Sequence, residues 1–381
     1  MKKIFALVLC LIMVLPLVSC GKAEYKLGMG VVVSTDSSSS ASVDANGKDV
    51  NANAQVDATV ATVITDENGV IVACRIDVAQ NKMSVTNEGI VEPVVDEDGD
   101  PIVDEEGNTS VNYAKEFKTK MEKANAYGMA SAKIDNDLNG VTNEWYEQVH
   151  AFEAYVVGMT ADQVANIRTQ YVNGHWIATD KALLNAGCSM QITDFIEAVV
   201  KACDDVQGVT FKAKANKKMT LGVAATSFVD AATVSATTKN AEVHMYTDFA
   251  CAVVVKGKIV ATLNDAIQPK IFFDDEGQLV KTEYKGTKRE LRDNYNMAKY
   301  GKNMDWNGDG KVLEWYLQSQ AFSKYVIGMT AEQVVAMETK TLESGYVISA
   351  DNNLLSAGCT IQIKDICAVV AKAANNATSI K

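Results

Sequence analysis

Basic charge, proline and histidine are what this chain has least of. Lys and Arg total 36 against 48 Asp and Glu, a formal net charge of −12. Such a chain lacks the basic face that neutralises phosphates, which argues against nucleic acid as a partner. It also disfavours docking along anionic headgroups, so a membrane attachment should be covalent. Four prolines leave no Pro-rich linker. The three histidines, His150, His175 and His244, have no metal spacing and read as ordinary surface or core residues. Beyond the N-terminus no stretch reaches the ~18 continuous apolar residues of a membrane-spanning helix. Nucleophile elbow, Walker loop and Rossmann fingerprint are all missing. What remains is an ordinary globular composition, 48% hydrophobic and 22% charged, in 381 residues, a length suited to two or three domains.

The one long apolar run is at the start. Lys2 and Lys3 precede residues 4–18, which are almost wholly apolar but short for a span, the pattern of a signal peptide. The run ends Leu17-Val18-Ser19-Cys20-Gly21, which resembles the bacterial lipobox. The resemblance implies a signal peptide at 1–19, a lipidated Cys20 with a short tether over 20–24, and residence on the extracytoplasmic face of the cell membrane. Cleavage removes two lysines and no acid, taking the charge from −12 to −14. Of the other cysteines, Cys10 lies in the signal. Only Cys188 and Cys359 among the remaining six occupy matching places in the repeat described next. A disulfide framework built twice would repeat its cysteines, so most read as small buried residues.

One unit occurs twice. Residues 144–164, EWYEQVHAFEAYVVGMTADQV, and 314–334, EWYLQSQAFSKYVIGMTAEQV, agree at 14 of 21 positions. Upstream, Thr119-Lys120, Glu122, Tyr127 and Met129 match Thr287-Lys288, Glu290, Tyr295 and Met297. Downstream, 185–189 matches 356–360. With about 170 residues per copy this is domain duplication rather than a solenoid. The boundary is expected near 204–208, giving domains at 25–204 and 209–381.

Each copy opens with strands. Residues 57–78 are two β-rich runs split by Asp66-Glu67-Asn68-Gly69, a hairpin signal; 248–263 is the same, split at Lys256-Gly257-Lys258. A further hairpin is expected at 274–277. In the first copy it is expanded into 88–107, which reads as a solvated acidic loop rather than a calcium site. Residues 37–40 and 44–53 are small and polar and read as loop. Helices follow. Trp145, Val149, Phe152 and Val156 share one helical face. Gly158 and Gly328 fit C-caps, and Thr160/Gln163 and Thr330/Gln333 fit capping boxes. A third helix is expected at 194–202 and 365–373, with Asp194 and Glu197 as a capping pattern. Strands then helices make an α+β fold, two tandem domains each with an antiparallel sheet followed by three helices. The Asp/Asn-rich segments 135–140 and 305–310 resemble half an EF-hand loop, but Tyr146 and Tyr316 stand where the closing Glu belongs, so polar turns are the better account.

Between the second and third helices stand Asp180-Lys-Ala-Leu-Leu-Asn-Ala-Gly187-Cys188-Ser189 and Asp351-Asn-Asn-Leu-Leu-Ser-Ala-Gly358-Cys359-Thr360. A hydroxyl closes both, as serine in one and threonine in the other, which is what a requirement for a hydroxyl looks like. The plain alternative is a turn feeding a strand. On these residues the unit resembles the FMN-binding domains of bacterial electron-transfer proteins, especially the tandem flavinylated lipoproteins of Gram-positive bacteria. In that family a flavin transferase moves FMN from FAD onto a Ser or Thr hydroxyl. The resemblance implies acceptors at Ser189 and Thr360, up to two FMN per chain, and an electron carrier between a membrane donor complex and an extracellular acceptor. It implies cofactor contacts at Gly187, Cys188, Gly358 and Cys359. Three departures stand out: Cys188 and Cys359 replace a small residue, Ala186 and Ala357 stand where the family often has Ser, and Asp180 and Asp351 lie farther upstream than the family pattern. Tyr127, Met129, Tyr295 and Met297 are further ring-contact candidates, as are Trp145, Tyr146, Tyr155 and their counterparts, although the Trp145 stripe also suits a core. Two alternatives stay open: a flavin-binding or scavenging lipoprotein without a covalent link, and a structural or adhesive surface module without cofactor.

Overall fold

The computed structural model describes residues 22–91, 112–113, 117–133, 135–137, 140, 142–214, 218–232, 241–300, 312–343 and 345–380. Cys20 and the signal segment, most of the acidic run 88–107 and the 305–310 loop lie outside the described residues. The first copy comprises β1 (Lys22–Ser34), β2 (Ser42–Val43), β3 (Asp49–Val50), β4 (Ala52–Thr65), β5 (Ile71–Val85), β6 (Asn112–Tyr113), α1 (Lys120–Lys123), α2 (Trp145–Val156), α3 (Ala161–Ala165), β7 (Thr169–Val172), β8 (His175–Ala178), α4 (Lys181–Asn185), α5 (Thr193–Cys203) and β9 (Val209–Lys214). The second comprises β10 (Met219–Ala232), β11 (Ala241–Val255), β12 (Lys258–Ile267), β13 (Lys270–Phe273), β14 (Leu279–Glu283), α6 (Lys288–Leu291), α7 (Met297–Tyr300), α8 (Trp315–Tyr325), α9 (Ala331–Val335), β15 (Thr339–Thr341), β16 (Val347–Ser349), α10 (Asn352–Ser356), α11 (Lys364–Asn375) and β17 (Thr378–Ser379).

The fold is α+β, and the alternation along the strands explains its layering. In β4, Ala54, Val56, Ala58, Val60 and Ile64 bury one face while Ala61 and Val63 bury the other. A strand buried on both faces must lie between two layers. On one side of the first sheet (order β5-β4-β1-β9) pack α2, α3, α4 and α5. On the other side lies the second sheet, where β11 joins β10, β12 and β13. That sheet carries α8, α9, α10 and α11 on its far face. The order is helices, sheet, sheet, helices, and the central core draws on both copies.

Local chemistry sets the elements as read from the sequence. Asp66 accepts from the N–H groups of Asn68 and Val70 and turns β4 into β5; Asp274 does the same for β13 and β14. Thr160 and Thr330 close reciprocal capping boxes with Gln163 and Gln333. Gly158 and Gly328 take φ of +89° and +88° after the preceding helix. Helix α5 lies so close to β1 that a Cβ on Gly28 would come 1.9 Å from the carbonyl oxygen of Ala202. The same approach recurs at Gly222 and Ala373, at 2.0 Å.

Several details differ from expectation. Strand β1 begins at Lys22, so 22–24, expected as tether, pairs with β9. Strand β9 itself lies past the expected boundary yet belongs to the first sheet. The segment 44–53, expected as loop, supplies the turn and second strand of the small β2–β3 hairpin, where Asp44 takes the N–H groups of Asn46 and Lys48, and the first residues of β4. Two further hairpins, β7–β8 and β15–β16, were not expected, although Asn173-Gly174, both with positive φ, is an Asn-Gly turn signal for the first. Asp194 does not cap α5: Ile192 is the N-cap residue and makes no side-chain bond. All six cysteines of the described residues are free.

The copies meet in a reciprocal way. Lys201 on α5 reaches Glu290 on α6 at 3.3 Å, and Lys372 on α11 reaches Glu122 on α1 at 2.7 Å. At one seam Asp205 takes two bonds from the Arg289 guanidinium, at 3.0 and 3.2 Å, and both side chains are buried. Asp205 also accepts from the N–H groups of Met29 and Gln207. At the mirrored seam the corresponding residues are Asn376 and Met121, and Asn376 donates to the carbonyl of Val223 instead. A buried charge stripped of its partner is strongly destabilising, whereas replacing the whole pair is far less so. Arg289→Met alone should therefore cost about 3 kcal/mol in urea unfolding. Adding Asp205→Asn, which gives both positions the residues of the mirrored seam, should recover most of the loss; a double variant as unstable as the single one refutes this account.

Candidate functional site

The site is built outward from the start of α2 and α8. Glu314 is the N-cap of α8, and its carboxylate accepts from the N–H groups of Met297 and Ala298 at 2.9 and 3.1 Å. In the first copy Glu144 takes the N–H of Met129 at 3.0 Å. A negative group at a helix N-terminus is favoured by the backbone dipoles there, so the Tyr-x-Met segment is pinned to the helix. One turn later comes Gln318. Its Nε2 donates to the carbonyl of Leu313 at 2.8 Å and to the Met297 sulfur at 3.4 Å. Its Oε1 accepts from the Thr360 N–H at 2.8 Å and from the Thr360 hydroxyl at 3.2 Å. Gln148 repeats this with the carbonyl of Asn143, the Met129 sulfur and the N–H groups of Ser189 and Met190. A buried amide with all its bonds made holds a loop in one place. These glutamines escaped the sequence reading although they stand at the same place in the repeated helix, because their reach across 42 residues of chain leaves no local pattern.

Ser189 and Thr360 are both 4% exposed. Gly187 and Gly358 take φ of +91° and +93° just past α4 and α10, and a Cβ on Gly358 would lie 2.5 Å from the Leu313 side chain. Their role in the fold is to turn the chain. Cys188 and Cys359 point into the outer cores, where burial pushes both thiols up to about 12. The hydroxyl-bearing stretch then runs into α5 or α11, not into a strand.

Four of the expected residues of the second copy, Tyr295, Met297, Trp315 and Thr360, line one cavity of about 380 Å³. Gly358 and Cys359 are not part of its wall. Phe228, Tyr246 and Tyr346 supply further aromatic faces, and Gln318, Lys288, Asp248 and Asp365 supply polar groups. The Lys288 ammonium stands 5.4 Å from the Tyr295 ring and 5.3 Å from the Trp315 ring, a cation–π placement. In the first copy Lys120 stands over Tyr127 and Trp145 at 5.1 and 5.8 Å. Burial lowers the Lys288 ammonium's pKa, and Asp248 and Asp265 oppose that. Burial raises Asp248 to about 6, against the pull of Lys288 and helped by Asp365 and Asp265. Burial, with Asp248 and Glu314, pushes the Tyr295 phenol up to about 12, so it stays a neutral donor. Its hydroxyl donates to Gln268 at 3.1 Å.

Other aromatic candidates serve the fold. Trp145 and Phe152 are core. The Tyr155 hydroxyl donates to Asp180 at 2.7 Å, and Tyr325 to Asp351; those aspartates cap α4 and α10. Tyr146 packs edge-on against His150, and Tyr316 lies under Arg292. In the first Asp/Asn-rich segment Asp135 takes the Gly140 N–H, as a polar turn does, while 305–310 is outside the described residues. No cluster of three or more metal-ligating side chains occurs among the described residues.

A second repeated feature was missed. Asp77 accepts from the N–H groups of Val78 and Met121, and Asp265 from those of Ala266 and Arg289. Each ties the sheet to the start of α1 or α6, next to the capping boxes Thr119/Glu122 and Thr287/Glu290. The aspartates sit 188 residues apart, off the spacing of the helical blocks, so a fixed offset passes over them.

The chain matches no family model, and no curated protein and no solved structure is detectably similar to it.

Burial raises Asp77 and Asp265 from 3.8 to about 6, the Thr119 hydroxyl and two N–H groups opposing for Asp77, and Arg289, the Thr287 hydroxyl and two N–H groups for Asp265. A carboxyl that holds its proton more tightly folded than unfolded contributes stability that is complete below the unfolded value and is lost as pH rises through the folded one. Unfolding free energy should therefore decline through these groups between about pH 4 and pH 6. Asp77→Asn with Asp265→Asn should flatten that slope in chemical denaturation, and parallel profiles for the two proteins rule the account out.

Proposed function

We propose that this chain is an extracytoplasmic electron carrier, held to the membrane by a lipid on Cys20 and carrying FMN joined through its phosphate to Thr360. The observation that supports it is Thr360 standing on the wall of an aromatic-sided cavity of about 380 Å³, within the size of ordinary cofactor sites. Loading balances as a group transfer. The Thr360 oxygen attacks the flavin-side phosphorus of FAD, the pyrophosphate P–O bond breaks, AMP leaves and the hydroxyl proton goes to solvent. The oxygen then gives up its bond to Gln318, whose Oε1 keeps the Thr360 N–H.

When bound, FMN supplies two-electron acceptance and one-electron release. The chain's own residues do the rest. The rings of Trp315, Tyr295 and Tyr346 would shield a bound ring from water, Lys288 would bring a positive charge to its surroundings, and Asp248 would offer a hydrogen-bond acceptor. No acid–base constellation is required, since carrying electrons breaks no substrate bond. The partners are a flavin transferase, a membrane donor complex and an extracellular acceptor.

One observation favours a second reading. The Thr360 hydroxyl is already committed to Gln318 and the residue is 4% exposed, which suits a flavin held without a covalent link. Co-expression with a flavin transferase separates these. The expected result is colour that stays with the chain in denaturant and an intact mass raised by FMN less water, with Thr360→Ala losing the flavin of the second copy. Colour released on denaturation supports the non-covalent carrier, and a colourless protein supports a structural or adhesive module.

A further inference from the structure

We infer that the two copies are unequal: the cross-strand pair Phe228 and Tyr246 is the platform on which the flavin ring lies, and the first copy, which lacks it, carries no flavin. The inference rests on the flavin reading and sharpens it. Strand register gives the correspondence. Phe228 faces Tyr246 across β10 and β11, and Ser34 faces Asp57 across β1 and β4. Counting from the glycines that meet the closing helix, Gly222 and Gly28, these are the same cross-strand position.

The chemistry at that position is opposite in the two copies. The Phe228 and Tyr246 rings are stacked, centroids 4.6 Å apart and planes 4° from parallel, and both border the cavity that Thr360 borders. Both are half-buried, so aromatic surface faces the cavity. In the first copy the Asp57 carboxylate takes the place of Tyr246. It accepts from the Gln55 amide at 2.6 Å and the Gln80 amide at 2.8 Å. A flavin ring laid there would cover a charged, hydrogen-bonded group instead of stacking on a π-face, and burying a charge is costly. The neighbours follow the same division. Asp248 has Thr59 as its counterpart across the next pair, and Tyr346 has His175.

What the copies share is the frame: the Lys over Tyr and Trp, the N-cap Glu, the Gln holding the hydroxyl-bearing loop. These fix Ser189 and Thr360 equally well. What they do not share is the surface a ring would touch. Ser189 therefore has a loop held in the acceptor geometry but no adjoining platform.

Intact mass of the protein co-expressed with a flavin transferase tests this, and needs no electron-transfer assay. One FMN per chain is expected, kept in full by Ser189→Ala and lost in Thr360→Ala. Phe228→Ser with Tyr246→Asp, which imports the first copy's residues, should drop loading at least tenfold while the melting temperature stays within a few degrees. Two FMN per chain, or loss of flavin in Ser189→Ala, overturns the inequality and leaves the flavin reading standing. Full loading of the Phe228→Ser/Tyr246→Asp protein overturns the platform. No flavin in any of these proteins overturns both the flavin reading and the inference.

Discussion

The structure depends on the mutual burial of the two sheets. The inner faces of β4 and β1 and of β11 and β10 form one apolar core, so each copy supplies the layer its partner needs. Burial of apolar area is the dominant favourable term in folding, and a sheet with helices on one side only would leave its other face in water. The helices are consequently forced outward, each set onto the far face of its own sheet. The two hydroxyl-bearing loops, which lead into α5 and α11, are carried outward with them.

Small residues set how those helices lie. Gly28 and Gly222 let the backbone carbonyls of Ala202 and Ala373 approach the strand closely, and any side chain there would lift the helix off the sheet. The Lys at the same place in each helix, Lys201 and Lys372, then reaches back to a strand carbonyl and across to the other copy's acidic cap residue. An exposed pair such as Lys201–Glu290 contributes little energy, and Lys372–Glu122 is the more sheltered of the two. The buried Asp205–Arg289 pair is different, because it exists at one seam and not the other, and it is there that the duplicated halves have diverged structurally.

The sequence made the local parts legible and the assembly illegible. Hairpins at Asp66 and Asp274, the capping boxes at Thr160 and Thr330 and the stripe from Trp145 to Val156 depend on residues a few positions apart, so their patterns survive in a single chain. The pairing of β9 with β1 does not: Val209 and Leu27 meet across 182 residues, and nothing near either names the other. The layering was hidden for a related reason. In β4 both faces are small and apolar, so alternation cannot say which face meets helices and which meets a second sheet. At the candidate site, Thr360, Tyr295 and Met297 were legible because they repeat. Phe228, Tyr246 and Asp248 were not, because they do not repeat and come from strands far from the helical block.

That contrast bears on how a duplicated chain should be read for function. A residue present in both copies is under at least one common constraint, and the simplest is the fold. Gln148 and Gln318, with every polar atom used in holding a loop, illustrate it, as do the buried Asp77 and Asp265. Repetition therefore identifies the frame first and the ligand only second. The ligand's chemistry is set by the walls the frame leaves open. In the second copy those walls are aromatic, with the Lys288 ammonium and the Asp248 carboxyl close enough to shift each other's protonation. Charges partly withdrawn from solvent act on one another more strongly than they do in water. The planar ring proposed for this site would set its faces against those aromatic walls and its hydrogen-bonding edges toward the charged groups.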